Sequence, residues 1–235
     1  MRKIGLIGGT SWESTAIYYR LLNEGVRARR GGFHSARLLL SSLDFAQYEA
    51  WMRHGEWHHV GAALAVEAKA LQGAGAEAII LCTNTMHKVA LDITAALKIP
   101  FVDIRDVTGA AIVQAGAKKP LLLGTRYTMT DAFFSAHLVQ HFGLAPMMPE
   151  PGDQAHLHAV IFDELVKGVI SPASRATTLA MIAKAQDQGA DGVIFGCTEI
   201  GMLLAPSDIA MPVFDTMQLH VEAALDFALS PLHLL

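Results

Sequence analysis

One pattern occurs twice in this chain, and it constrains the fold more than any other feature. A Gly-Thr step at Gly9-Thr10 is followed, 72 residues after Thr10, by Cys82; a Gly-Thr step at Gly124-Thr125 is followed, 72 residues after Thr125, by Cys197. Each cysteine comes directly after a short apolar run, Ala78-Ile79-Ile80-Leu81 and Val193-Ile194-Phe195-Gly196, and each run is introduced by Gly-Ala. A matching piece follows each cysteine, Ile99-Pro100-Phe101-Val102-Asp103 and Met211-Pro212-Val213-Phe214-Asp215. Three matches in the same order indicate a duplicated unit, and no shorter period of the solenoid kind is present.

Short runs rich in Ile and Val read as buried strands. Strands are expected at Ile4–Ile7, Arg37–Ser42, Pro120–Leu123, Ile99–Ile104 and Met211–Asp215 besides the two cysteine runs. Helices are expected over the stretch with Ile17, Tyr18, Leu21, Leu22 and Val26 on one face, and over 56–72, 86–97, 130–141, 157–169, 173–188 and 216–229. Ser11 is a suitable N-cap for the first of these, with Glu13 in the first turn and Arg27, Arg29 and Arg30 before Gly31-Gly32 at its end. The stretch 45–54 reads as a loop with a short helix, and 146–152 as a loop. Strands alternating with helices argue an α/β fold whose parallel sheets carry helices on both faces. The repeat divides it into a first lobe, 1–104 plus the helix 216–229, and a second lobe, 105–215. Ligands of such folds bind beyond the C-terminal ends of the strands.

A chain of 235 residues, 52% hydrophobic and 17% charged, is globular and has ample core. Its net charge of −4 disfavours nucleic acid and anionic membrane as partners. The apolar start Ile4–Ile7 is too short for a secretory signal, and no window approaches a membrane span. The expected location is therefore the cytoplasm, where the only two cysteines are not expected to form a structural disulfide.

What the chemistry can be turns on Cys82 and Cys197. Free cysteine is often just a small buried hydrophobe. Here each thiol sits at a strand end before Thr, and a following helix N-terminus is expected to lower its pKa. A single nucleophilic thiol wants a histidine base, but His87 after Cys82 is matched by Met202 after Cys197. Two lone cysteines are a poor metal site, and a redox pair would not require duplication of the surrounding turns. Two symmetric thiols do suit proton transfer at a stereocentre, one removing the Cα proton from one face and the other returning a proton to the opposite face. The turn Gly5-x-x-Gly8-Gly9-Thr10 is a weak dinucleotide signature; it reads better as a turn that lets a substrate oxygen approach the backbone. The clustered His54, His58 and His59 read as a solvated face.

Gly5-Leu6-Ile7-Gly8-Gly9-Thr10-Ser11-Trp12-Glu13-Ser14-Thr15, Cys82-Thr83-Asn84-Thr85-Met86-His87 and Gly196-Cys197-Thr198-Glu199-Ile200 together resemble the aspartate/glutamate racemase family over nearly the whole chain. The resemblance implies two pseudo-symmetric Rossmann-like lobes with the active site at the lobe interface. It also implies a homodimer and cofactor-independent racemisation of an amino acid by the cysteine pair. Some members of this branch carry Thr in place of the first cysteine and work mainly in one direction; retention of Cys82 implies reversible racemisation.

Removing the Cα proton places negative charge on the substrate carboxylate, which calls for hydrogen-bond donors. Thr10, Thr83, Asn84, Thr85 and Thr125 are the candidates, although Asn84 and the threonines could equally be helix caps. Thr198 and Glu199 could hold the substrate ammonium or the start of the next helix. Lys167 resembles a family lysine that meets substrate; alone it would be a solvated helix lysine, and nothing else suggests pyridoxal phosphate. Met52 stands where some acid-specific relatives place a basic residue, with Arg53 beside it, which points to a range wider than aspartate and glutamate. The rival readings are a decarboxylase or cis–trans isomerase using the same cysteines, and a non-catalytic amino-acid-binding protein.

Overall fold

The computed structural model describes residues 1–230. They divide into two compact units: Met1–Asp103 with the described residues from His220 onward, and Ile104–Leu219.

The first unit holds β1 (Ile4–Gly8), α1 (Trp12–Arg30), β2 (Leu38–Ser42), α2 (Phe45–Arg53), α3 (Trp57–Gly73), β3 (Ala78–Leu81), a 3₁₀ turn (Thr85–Val89) and α4 (Ala90–Ala96). Its parallel sheet has the order β2-β1-β3, with Ile4 opposite both Leu38 and Ala78. β1 and β3 are buried along their whole length, which is why they are unbroken apolar runs rather than alternating ones. β2 is the edge, and its residues are only partly covered. Ser11 accepts a hydrogen bond from the Ser14 amide at 3.2 Å and so caps α1. The buried stripe of α1, Tyr18, Leu22 and Val26, falls at helical spacing. Tyr18 also donates through its hydroxyl to Nδ1 of His220 (3.0 Å), whose Nε2 donates to the Val102 carbonyl (2.7 Å). Burial and the neighbouring His87 push the His220 imidazole down to about 3, so it is neutral at physiological pH.

The second unit holds α5 (Ile104–Gln114), β4 (Pro120–Gly124), α6 (Arg126–Thr130), α7 (Ser135–Phe142), α8 (Pro151–Ala159), a π-turn (Val160–Glu164), a 3₁₀ turn (Leu165–Lys167), α9 (Pro172–Asp187), β5 (Gly192–Gly196), α10 (Ile200–Leu203), β6 (Val213–Asp215) and the start of α11 (Thr216–Leu229). Its parallel sheet has the order β4-β5-β6. The pleat sorts the side chains: Leu121, Leu123, Val193 and Phe195 join one core with α8 and α9, while Leu122, Ile194 and Phe214 join another with α5 and α7. Helices thus cover both faces of this sheet.

Single parallel bridges complete the likeness between the units. Phe101 pairs with Ile79 beyond β3, and Met147 pairs with Leu121 beyond β4. Counting these, each unit runs second, first, third, fourth segment across its sheet. The expected strand at Ile99–Ile104 is reduced to that one bridge, and the expected loop at 146–152 contains the other. Residues 45–53 form a regular helix, α2, instead of mostly loop. The helix expected over 86–97 is split into a 3₁₀ turn and α4, and that over 130–141 breaks before α7. The helix expected over 157–169 begins at Pro151 and changes to π and 3₁₀ geometry. Sequence periodicity missed α5 altogether. Its buried stripe, Ile104, Thr108 and Ile112, is spaced correctly, but Thr108 and Gly109 weaken the pattern. Gly109 is there because a Cβ would run into the Phe142 ring of α7.

Candidate active site

Strand pairing brings the candidate residues of each unit to one place. In the first unit, Ile7 is opposite Leu81, so the turn after β1 lies beside Cys82, whose amide bonds the Ile7 carbonyl at 2.9 Å. Thr10, Thr83, Asn84 and Thr85 belong to these two strand ends. In the second unit, Gly124 is opposite Gly196, which sets Thr125 beside Cys197, Thr198 and Glu199. Cys82 and Cys197 are both buried free thiols.

The turn after β1 is crowded rather than open. A Cβ on Gly8 would overlap Thr15, and one on Gly9, whose φ is +88°, would overlap the Leu43 main chain. The Gly9 amide is already bonded to Thr15 Oγ1 at 2.9 Å. These glycines therefore serve close packing of the turn, and the Gly9 amide is occupied, contrary to the expectation of a backbone left for a substrate oxygen. Ser11, at φ 128°, is the single non-glycine residue with positive φ among those described. Thr10 and Ser14 are 8% and 2% exposed, and the hydroxyl oxygens of both are buried with no hydrogen-bond partner. Buried hydroxyls in native structures are ordinarily satisfied, so these two are the natural places for a ligand's polar atom. Sequence reading names Ser14 only as part of the Gly5–Thr15 segment and not as a candidate donor; its signals are that segment and its position in the first turn of α1.

After Cys82 the chain folds into the tight 3₁₀ turn, closed by the Nδ1 of His87, which donates to the Thr83 carbonyl at 2.7 Å. The Asn84 side chain at its N-terminus makes no capping hydrogen bond to that turn. After Cys197 comes α10, only four residues long and likewise without a side-chain cap. The expectation that helix N-termini lower the thiol pKa values is overturned. Burial pushes the Cys82 thiol far up. Burial also pushes Cys197 well up, with further upward contributions from the charge and hydrogen bond of Glu199, only partly offset by backbone amides. A five-residue 3₁₀ turn and a four-residue helix carry too little aligned dipole to oppose desolvation.

The polar arrangement at Cys197 is specific. Its Sγ donates to Glu199 Oε2 at 2.9 Å, and Thr198 Oγ1 donates to the same oxygen at 2.8 Å. Thr125 caps α6, accepting from the Thr128 amide at 3.3 Å. Met52 is buried on α2, with Arg53 exposed and 3.8 Å from Glu49. Lys167 lies on the 3₁₀ turn with its side chain 62% exposed and 3.7 Å from Asp163. The adjoining Glu164 receives Ser174 Oγ on one oxygen at 2.9 Å and keeps the other buried without a partner. His54, His58 and His59 are exposed, as expected. Among the described residues no three His, Cys, Asp or Glu side chains are grouped as metal ligands, and no helix is long and apolar enough to cross a membrane.

Known proteins share this architecture. A sequence-family model for Asp/Glu/hydantoin racemases matches residues 7–224. A candidate Asp/Glu racemase from Yersinia pestis is 45% identical, with a TM-score of 0.92 over 98% of this chain and 100% of that one. An aspartate racemase homologue from Pyrococcus horikoshii OT3 is 32% identical, with a TM-score of 0.86 over 98% and 100%. The aspartate racemase of Picrophilus torridus shares the fold at 22% identity, with a TM-score of 0.75 over 97% and 94%.

Proposed function

This chain belongs to the Asp/Glu/hydantoin racemase family, and on that premise we propose that it racemises an amino acid by passing the Cα proton between two thiols, Cys82 and Cys197. The observation that carries the reading is the recurrence of a buried free cysteine at the end of the third sheet segment in both units, each followed by Thr.

In the proposed reaction one cysteine, as thiolate, takes the Cα proton: an S–H bond forms, the C–H bond breaks, and its electron pair moves toward the substrate carboxylate. The other cysteine, as thiol, then gives its proton to the opposite face of the same carbon. The enzyme ends with the protonation states of the two sulfurs exchanged, so the reverse reaction runs through the same groups. The charge that develops on the carboxylate needs donors, and the hydroxyls of Thr10 and Ser14 are supported by having no partner within the protein. No electron sink beyond the carboxylate is called for, so the proposal includes no cofactor. The substrate is aspartate, glutamate or a wider set, the wider set being supported by apolar Met52. Family resemblance supports a homodimer.

The test is exchange in heavy water across a panel of L- and D-amino acids. Deuterium should enter Cα with inversion and without added cofactor. Cys82→Ser and Cys197→Ser should each lower racemisation by about 10²–10⁴-fold, the usual contribution of a positioned acid or base. Full activity in either variant defeats the two-thiol reading. Release of carbon dioxide without inversion would instead mean a decarboxylase, and binding without exchange a carrier.

A further inference from the structure

An amino-acid enzyme tells its substrates apart by what meets the side chain, and the cations near the strand ends differ in what they already hold. In the first unit Met52 is buried and apolar, Arg53 lies 3.8 Å from Glu49, and the Lys88 ammonium sits 4.2 Å from the Trp57 ring centroid. In the second, Arg105 donates to the Phe133 carbonyl at 3.3 Å, and Lys167 lies 3.7 Å from Asp163. Arg126 is exposed, and its guanidinium has no acidic partner among the described residues. We propose that Arg126 is a specificity residue that receives the side-chain carboxylate of the substrate, so that the chain acts on acidic amino acids although Met52 brings no cation. The inference rests on the racemase reading above.

The sheet sets the placement. Gly124 at the end of β4 is opposite Gly196, so Thr125 stands beside Cys197, and Arg126 is the next residue, the first of α6. Its main chain is pinned from α8, where Nδ1 of His158 accepts the Arg126 amide at 3.2 Å. A ring nitrogen that accepts from an amide carries no proton, so His158 is neutral, with its hydrogen on Nε2. Burial pushes the His158 imidazole down, and the Arg126 charge pushes it further, against an opposing contribution from Asp163. Arg126 therefore has a neutral ring beside it and no second cation in contact.

The guanidinium rests on an aromatic stack. Its carbon is 5.5 Å from the Tyr127 ring centroid, the Tyr127 ring meets His158 edge-on at 6.4 Å, and His158 packs on Phe162 at 4.6 Å. A cation held by a ring face is oriented without spending its N–H groups. The planar fork that remains fits a carboxylate through two parallel hydrogen bonds. Acids on the neighbouring segments are engaged elsewhere: Glu150 and Asp153 with Lys184, Asp163 with Lys167, and Glu164 with Ser174.

A contact to the substrate side chain is made equally before and during proton transfer at Cα. Such uniform binding sets KM and leaves kcat nearly alone. A merely structural arginine would instead affect every substrate alike.

The experiment compares aspartate and glutamate with asparagine and glutamine, which have the same shape without the charge, by Cα exchange and by calorimetric binding. In the parent protein kcat/KM for the acids should exceed that for the amides by about tenfold or more. In Arg126→Gln the KM for both acids should rise about 10- to 100-fold with kcat within about threefold, while the amides lose less than about threefold. Arg126→Lys, which keeps the charge without the fork, should recover part of the preference. Arg126→Ala, with higher helix propensity, repeats the test if the Gln variant is unstable. Equal losses for acids and amides would make Arg126 structural and overturn the proposal. So would a parent protein that handles amides as well as acids. A preference that survives Arg126→Gln and collapses in Lys167→Ala would give the carboxylate to Lys167 and overturn it too. Binding keeps the two readings apart. Absence of Cα exchange in the parent sinks the racemase reading, whereas equal affinity of the parent for aspartate and asparagine sinks this one.

Discussion

The two units are built to one plan and finished differently at the strand ends. Both end one parallel strand in Gly and set it beside a strand that is followed directly by a free Cys-Thr. In the first unit the turn gains residues: Gly8-Gly9-Thr10-Ser11 leads to α1, and the cap, Ser11, sits at a φ of 128°. In the second, Thr125 follows Gly124 directly and caps α6 from an ordinary extended conformation with φ −64°. The hydroxyls differ in the same way. Thr125 caps a helix and Thr198 is bonded to Glu199, whereas Thr10 and Ser14 have oxygens with no partner. Duplication has kept what the sheet needs and let the polar groups diverge. The first unit leaves two buried hydroxyls without a partner; the second sets a carboxylate against its own thiol.

The sharpest way to break this comparison is to burden the two turns equally. Gly9→Ala forces a Cβ into the Leu43 main chain at a positive φ and should cost about 2–4 kcal/mol. Gly124→Ala meets the Gly196 carbonyl at 2.9 Å without a φ penalty and should cost about 1–2 kcal/mol. Thermal melts of the pair check the order, and equal losses would mean the first turn is not the tighter one.

Acid sensitivity is the next largest difference, and it belongs to the first unit. His220 is held neutral between Tyr18 and Val102 with its pKa at about 3, against an ordinary 6.5. Between those values the unfolded chain binds a proton that the folded chain does not. Stability from this group is therefore complete above pH 6.5 and declines as pH falls, by about 1.4 kcal/mol per unit. His220→Gln should be less stable at pH 7.5 and show a slope shallower by that amount between pH 6.5 and 5. Parallel slopes in melts of the two proteins would remove His220 as the cause.

The smallest effect separates ligand-facing from structural hydroxyls. Ser14→Ala should leave stability within about 0.5 kcal/mol, because its oxygen has no partner to lose. It should raise KM about fivefold if that oxygen meets the substrate. Thr198→Ala should instead act through Cys197, so a KM change confined to the first-unit variant keeps the comparison and its reversal ends it.

Much of the fold could be read from residue order alone. The buried runs at Ile4, Ala78, Pro120 and Gly192 are strands because an apolar stretch covered on both faces has no other economical form. Helices were harder to bound. α5 was invisible because Thr108 and Gly109, each present for a packing reason, dilute its stripe, and the 157–169 helix gave no sign of its π-turn. The candidate site was legible as residue types at strand ends; the unpartnered Ser14 hydroxyl was not, because a serine in a first helical turn gives no sign in sequence of whether its oxygen will find a partner.

By itself the sequence determined the duplication, the parallel strands, and the location of both thiols at strand ends, since these follow from hydrophobic spacing along the chain. Only the tertiary structure decided the state of those thiols. Whether a cysteine's proton is held or shared depends on how much water reaches it and which oxygen lies within 3 Å, and both are set by neighbours that folding supplies. The reversal of the expected pKa direction at Cys82 and the meeting of Cys197 with Glu199 are the two places where that distinction changes the chemistry.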